Sequence, residues 1–192
     1  MLSLLTITAS AQVKLNSEGQ DPQYVETIKG RAQKIVDGLQ LQDAQKAENV
    51  RNIIANRYFL LNDIHAKYDK TQQAARDAEL YKHHFELASA LALYLTEEQI
   101  DAVKDGMTFG RLKRDYQAQQ DMIPTLKEEE KLQILIWLKE AREFAMDAAD
   151  SKGKHFWFDK YRGRTNNWLS ARGYDLKKER EAWQKRLRLN EK

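Results

Sequence analysis

The sequence predicts an all-α protein, a single-domain bundle of about six or seven helices. Long stretches carry apolar residues at a spacing of three and four, which is typical of helices, and show little of the alternation that strands need. Only 8 glycines and 2 prolines interrupt the 192 residues. With 42% hydrophobic and 32% charged residues, a chain of this length can bury a core of its own.

The first half of the chain predicts three helices. They cover residues 24–38, 43–69 and 71–94, and Gly38 ends the first of them. The second helix carries one wide apolar stripe, which predicts that it packs against neighbours along most of its length. That stripe consists of Val50, Ile53, Ile54, Leu61, Ile64 and Tyr68.

Two capping boxes mark the starts of further helices. Thr96 begins a short fourth helix, because its hydroxyl and the Gln99 amide can each accept the backbone N–H of the other residue. Pro124 and Thr125 begin a long helix, and Glu128 completes its box. The broad apolar stripe of this long helix predicts a central position in the bundle.

Glycines divide the remainder of the chain. Gly106 and Gly110 break the helical pattern, and Gly153 ends the long helix. Two shorter helices follow, near residues 155–172 and 176–189.

The first eleven residues are predicted to be the remnant of a secretory signal. They are uncharged, include a short apolar stretch, and end in Ala-Ser-Ala, the small-residue pattern that precedes signal cleavage. We therefore expect residues 12–192 to form the mature helical domain, in the periplasm or secreted. We expect no transmembrane segment, because the longest apolar-rich run, residues 87–95, is about half as long as a spanning helix requires.

The composition excludes several kinds of chemistry. With no cysteine, the chain cannot form disulfides, thiolate metal sites or a cysteine nucleophile. The adjacent His83 and His84 project about 100° apart on a helix, so they cannot hold one metal ion together. The sequence also lacks the HExxH, nucleophile-elbow and glycine-rich phosphate motifs. We expect no enzymatic activity, no metal site and no cofactor.

Positive charge is concentrated at the C-terminal end. Residues 151–192 hold 13 Lys and Arg against 5 Asp and Glu. Both signs mix in residues 177–181, which favours a solvated helical face over a nucleic-acid surface. For an exported protein we expect no nucleic-acid partner.

The densest group of functional side chains lies in residues 155–168. Aromatic faces can pack on the apolar side of a sugar ring, while Arg and Asn donate hydrogen bonds to hydroxyls or a carboxylate. The predicted ligand-binding residues are Trp157, Tyr161 and Trp168 for stacking, and Lys160, Arg162, Arg164, Asn166 and Asn167 for hydrogen bonds. The alternative interpretation is that these aromatic residues attach the last helices to the bundle core.

One short motif resembles that of a chaperone class. Residues 95–99, Leu-Thr-Glu-Glu-Gln, are similar to the LTxxQ motif of Spy-like periplasmic chaperones, and residues 41–45 and 126–130 resemble degenerate copies. This resemblance implies a periplasmic chaperone or scaffold.

A second resemblance covers nearly the whole predicted mature chain. The sequence resembles domain-of-unknown-function family 3826, exported helical proteins of Bacteroidetes that have been described as sugar-binding. The resemblance is carried by residues 95–99, 104–108, 121–124, 138–143, 145–148, 154–155, 157–158, 161–164, 166–167, 169–170 and 173–176. Together with the aromatic and basic residues of the segment 155–168 and the absence of catalytic motifs, it predicts an exported, helical, non-catalytic protein that binds an oligosaccharide or an acidic glycan. The chaperone or scaffold remains the alternative hypothesis, and an accessory role in glycan breakdown is the third.

Overall fold

The computed structural model describes residues 12–190, which form nine α-helices and one 3₁₀ turn and contain no β-strand. The predicted all-α class is confirmed, although the described helices outnumber the predicted six or seven. The predicted signal remnant, residues 1–11, lies outside the described residues. The helices are α1 (Pro22–Asp37), α2 (Ala44–Lys67), α3 (Gln73–His83), α4 (Glu86–Leu91), α5 (Glu97–Met107), α6 (Arg111–Met122), α7 (Glu128–Met146), α8 (Ser151–Ala171) and α9 (Leu176–Asn190).

Internal contacts divide the chain into two compact units. The first ends at Ile100 and the second begins at Asp101, so the division falls within α5. The predicted single domain is therefore not confirmed. No helix in the part of the chain that the structure describes is long and apolar enough to cross a membrane.

The first unit is built around α2. Helix α1 packs on α2 through Ile28 and Ala32, which are fully buried, and α3 and α4 also pack on α2. Asp21 and Asp43 cap α1 and α2 by accepting backbone N–H groups of the first turn. The predicted bounds of these two helices are confirmed to within a few residues.

The predicted third helix is divided in the structure. A 3₁₀ turn, Lys70–Gln72, precedes α3, and residues 84–85 between α3 and α4 form a turn in which the His84 N–H donates to the carbonyl of Tyr81, three residues earlier. The Arg57 guanidinium of α2 donates a hydrogen bond of 2.8 Å to the carbonyl oxygen of His83. A tertiary contact thus satisfies a carbonyl at the end of α3.

The second unit is built around α7 and α8. These two long helices run antiparallel, since Phe144 pairs with Trp157 while the earlier Trp137 pairs with the later Trp168. Helix α6 packs on α7, and α9 packs on α6 and α8. The core between them includes Ile134, Leu138, Ala141, Phe158 and Leu169.

Two predicted boundaries in this unit are wrong. Helix α7 begins at Glu128 rather than at Pro124, because Leu126 is buried before the helix and the Glu130 carboxylate accepts the backbone N–H of Lys127. Gly153 does not interrupt a helix but lies in the first turn of α8, where its N–H donates to the capping Asp150 carboxylate at 2.7 Å.

Gly106 and Gly110, which the sequence predicts to break the helical pattern, differ in backbone conformation. Gly106 lies within α5, whereas Gly110 adopts a left-handed conformation with φ of 63° before α6 begins. Only the second breaks the helical pattern as predicted, because a positive φ is accessible to glycine at little cost.

Candidate functional site

Helices α7 and α8 bring aromatic and basic side chains together along one face of the second unit. We call this set the aromatic–cationic face. It consists of Trp137, Glu140 and Phe144 from α7, Trp157, Lys160, Tyr161, Arg164 and Trp168 from α8, and Arg172 just after α8.

One end of the face is an aromatic stack with a cation above it. The rings of Phe144 and Trp157 lie nearly parallel, with centroids 4.6 Å apart and planes at 19°. The Lys160 ammonium lies 4.8 Å from the centroid of the Trp157 ring, within the range of a cation–π interaction. Phe144 is 45% exposed and Trp157 is half-buried, so this stack is accessible from solvent.

The middle of the face is organised by Arg164. Its guanidinium carbon lies 4.6 Å from the centroid of Trp137 and 5.8 Å from that of Tyr161, and Nη1 lies 3.3 Å from the Glu140 carboxylate. More than half of the Arg164 side chain is nevertheless exposed. The rings and the carboxylate therefore orient a cation that remains open to solvent.

The far end repeats this pairing of ring and cation. Trp168 meets Trp137 edge-to-face, with centroids 5.2 Å apart, and the Arg172 guanidinium carbon lies 4.1 Å from the Trp168 centroid. Arg172 Nε also lies 3.9 Å from the Glu130 carboxylate. This carboxylate neutralises part of the positive charge at the far end.

Tyr161 contributes less to the accessible surface than predicted, because it is only 7% exposed. Burial, a hydrogen bond with the Glu140 carboxylate and the charge of that carboxylate together raise the pKa of its hydroxyl to about 12. Tyr161 is therefore a neutral hydrogen-bond donor near neutral pH, and its ring supports the neighbouring side chains.

The structure does not bring all the predicted site residues together. Arg162 lies on another side of α8, where it pairs with Asp159 at 3.3 Å. Asn166 is half-buried, and its side-chain oxygen has no hydrogen-bond partner among the described residues. Asn167 is exposed and lies seven positions after Lys160, on the same side of the helix.

Several members of the face come from outside the predicted segment. Phe144 and Trp137 were visible in the sequence only as residues that widen the apolar stripe of the long helix. Glu140 had no signal of its own, because it is one of many acidic residues on helical surfaces. Antiparallel packing of α7 on α8 was needed to place these side chains beside Trp157 and Arg164.

The LTxxQ-like segments all lie at helix starts. The Gln99 backbone N–H donates to the Thr96 hydroxyl, and the Thr96 N–H donates to the Gln99 side chain, which confirms the predicted capping box. Asp43 caps α2 in the second segment, and Glu130 accepts a backbone N–H at the start of α7 in the third. Capping accounts for the polar positions of the motif, so the motif itself adds no support for a chaperone.

Within residues 12–190, no group of three or more His, Asp or Glu side chains could hold a metal ion. The neighbouring His83 and His84 do not share a site, and His83 Nδ1 lies 2.9 Å from the Glu86 carboxylate.

A family model supports one of the two resemblances. The model for a protein of unknown function, DUF3826, matches residues 25–77 and 66–189, which together cover most of the chain. No curated protein matches the chain.

Proposed function

This chain belongs to DUF3826, a family of proteins of unknown function, and from its own contacts we propose that the aromatic–cationic face binds carbohydrate, with a preference for acidic sugars. The proposal rests on a solvent-accessible aromatic stack that adjoins two exposed basic side chains. A pyranose ring offers an apolar C–H face to such a stack, and a uronate adds a carboxylate that cations can bind.

The proposed preference for acidic sugars rests on the position of Lys160. Its ammonium lies over the Trp157 ring, and it has no carboxylate partner among the described residues. Arg164 follows one helical turn later, about 6 Å along the same side of α8. An anionic ligand that contacts the exposed part of this stack, of which Phe144 is 45% exposed, would lie near both cations.

We propose binding without catalysis. The two titratable groups at the centre of the face are poorly suited to proton transfer. Tyr161 retains its proton because its pKa is raised to about 12, and the Glu140 carboxylate is paired with Arg164. A hydrolase of sugars would need two suitably placed carboxyl groups, whereas the two carboxylates at this face lie against cations, Glu140 against Arg164 and Glu130 near Arg172.

We also propose that the protein acts in the periplasm or after secretion, where fragments of polysaccharides are available. This part of the proposal rests on the uncharged apolar sequence and the Ala-Ser-Ala pattern of residues 1–11.

The test is a titration of residues 12–192 with uronate oligosaccharides and with neutral oligosaccharides of the same length, measured by calorimetry and thermal shift. Trp157→Ala should weaken uronate binding by about tenfold or more, since it removes the larger ring of the stack. Lys160→Ala should weaken binding by about three- to tenfold and reduce its dependence on salt.

Lys152→Ala is the matched control, because Lys152 is an exposed lysine of α8 outside the face. It should leave the affinity unchanged. If no sugar binds, or if all three variants bind equally well, the assignment of this face is wrong.

A further inference from the structure

Three asparagines of α2 hold the N-terminal residues of the described chain against the helix. We call residues 12–16 the strap. Asn49 Oδ1 accepts the backbone N–H of Val13 at 2.8 Å, and Asn52 Nδ2 donates to the carbonyl of the same residue at 2.8 Å. Both asparagines are buried. Their amides therefore bind the two backbone polar groups of one strap residue.

Asn56 binds the next part of the strap with both ends of its amide. Its Nδ2 donates to the carbonyl of Lys14 at 2.9 Å, and its Oδ1 accepts the N–H of Asn16 at 2.7 Å. Bonding to the carbonyl before Leu15 and to the N–H after it is the pattern by which one residue of a parallel β-ladder bonds its neighbour. The side-chain amide thus takes the place of a neighbouring strand.

The spacing of the asparagines matches an extended peptide. Asn49 and Asn56 are seven residues apart, which corresponds to a rise of about 10.5 Å along α2. Val13 and Asn16 are three residues apart, which corresponds to about 10 Å in an extended chain. The asparagine row can therefore follow a strand without a change of register.

The strap is recognised through its backbone and through alternate side chains. Val13 and Leu15 are half-buried, whereas Gln12, Lys14 and Asn16 are exposed. A cavity of about 470 Å³ adjoins residues 12–15 and is also lined by Lys29, Glu48, Arg51 and Asn52. The strap therefore borders open space on that side rather than packed side chains.

From this geometry we infer that Asn49, Asn52 and Asn56 form a binding site for extended segments of other polypeptides with apolar residues at alternate positions. The strap is the occupant seen in the structure, and an incoming segment replaces it. Because the hydrogen bonds read only the backbone, the site tolerates different sequences at the exposed positions. This site is separate from the proposed carbohydrate face, and neither depends on the other.

An occupant within the same chain lowers the apparent affinity for a peptide added in solution. A tethered segment acts at an effective concentration on the order of millimolar, against which a free peptide must compete. Weakening the strap should therefore increase peptide binding, whereas weakening the asparagine row should decrease it.

The experiment uses a fluorescein-labelled peptide with the sequence of residues 12–19, measured by fluorescence anisotropy. The strap variant Val13→Pro with Asn16→Pro removes both N–H donors from the strap and leaves α2 unchanged. It should bind the peptide about tenfold more tightly than the unmodified chain. Adding Asn56→Ala to this variant should reverse the gain.

Two altered peptides separate backbone from side-chain recognition. A peptide methylated at the backbone nitrogens of its Val and Asn should bind at least about tenfold more weakly, because it cannot donate to Asn49 and Asn56. A peptide of unrelated sequence that keeps apolar residues at the positions of Val13 and Leu15 should bind as well as the original, and its failure to bind would overturn the inference.

Equal binding of the methylated and unmethylated peptides would overturn the inference, as would a folded strap variant that binds no peptide. If circular dichroism shows that the strap variant does not fold, hydrogen exchange on the unmodified chain provides the test. Millimolar peptide should then speed exchange of the Val13 and Asn16 amides, and unchanged exchange would overturn the inference. Dimers that exchange straps, detected by sedimentation, would also overturn it in favour of pairing between two copies.

Discussion

Phe158→Ala should lower the free energy of unfolding by about 3–5 kcal/mol, the usual cost of removing a buried phenylalanine ring. Phe158 is completely buried in the core of the second unit. The Arg111 guanidinium carbon lies 5.4 Å from the centroid of its ring, so the substitution also removes a cation–π contact. Urea denaturation followed by circular dichroism would measure the loss.

Phe156→Ala provides a matched control on the same helix. Phe156 lies two residues earlier and is 59% exposed, so removing its ring leaves no cavity. Its loss should cost less than about 1 kcal/mol, mainly through the edge contact with Trp157. Equal losses for the two variants would contradict the orientation of α8 described above.

Local signals account for the elements that could be predicted from the sequence. The predicted start of the second helix at residue 43 is close to that of α2, whose cap Asp43 accepts a backbone N–H of the first turn. Thr96 and Gln99 were recognisable as a cap, since both partners of the capping box lie within four residues. Such contacts depend little on the rest of the fold.

The elements that could not be predicted depend on contacts between distant residues. The division between α3 and α4 occurs where Arg57 of α2 binds the carbonyl of His83, 26 residues later. The start of α7 depends on the burial of Leu126 among core residues of the other helices in the second unit, and Glu130 rather than the predicted Glu128 then completes the first turn. The intrinsic helix propensity of the local residues determines neither the division between α3 and α4 nor the start of α7.

The candidate site likewise depends on contacts that the local sequence does not reveal. The segment around Trp157 and Lys160 was recognisable by composition, but helical geometry separates neighbours in sequence. Lys160 and Arg162 are two residues apart on α8, so their side chains project on different sides of the helix. The ring that stacks on Trp157 belongs to Phe144, and only the packing of α7 on α8 brings these two residues into contact.

Arg142→Ala should lower the free energy of unfolding by about 3 kcal/mol, because it breaks an ion-pair network around a buried cation. The Arg142 side chain is 3% exposed, and its two terminal nitrogens each lie 2.6 Å from a carboxylate, those of Asp101 and Asp105. Lys139→Ala is the matched control: Lys139 also pairs with Asp101, at 3.1 Å, but is half exposed. Its loss should cost less than about 1 kcal/mol, as is usual for a surface ion pair.

The dependence of stability on pH separates the ion pairs from simple packing of the Arg142 side chain. Burial opposes ionisation of Asp101, but the hydrogen bond from Lys139 and the charge and hydrogen bond of Arg142 outweigh it, so the pKa of Asp101 lies below its ordinary value of 3.8. The unfolded chain therefore binds more protons in this range, and the stabilisation from the pair is lost as the pH falls below about 4. Arg142→Ala and Lys139→Ala should both flatten this part of the stability profile, because each removes a hydrogen bond and a positive charge that lower the pKa of Asp101. If Arg142→Ala lowered stability by the same amount at pH 3 and pH 7, packing of the side chain rather than its charge would account for the loss.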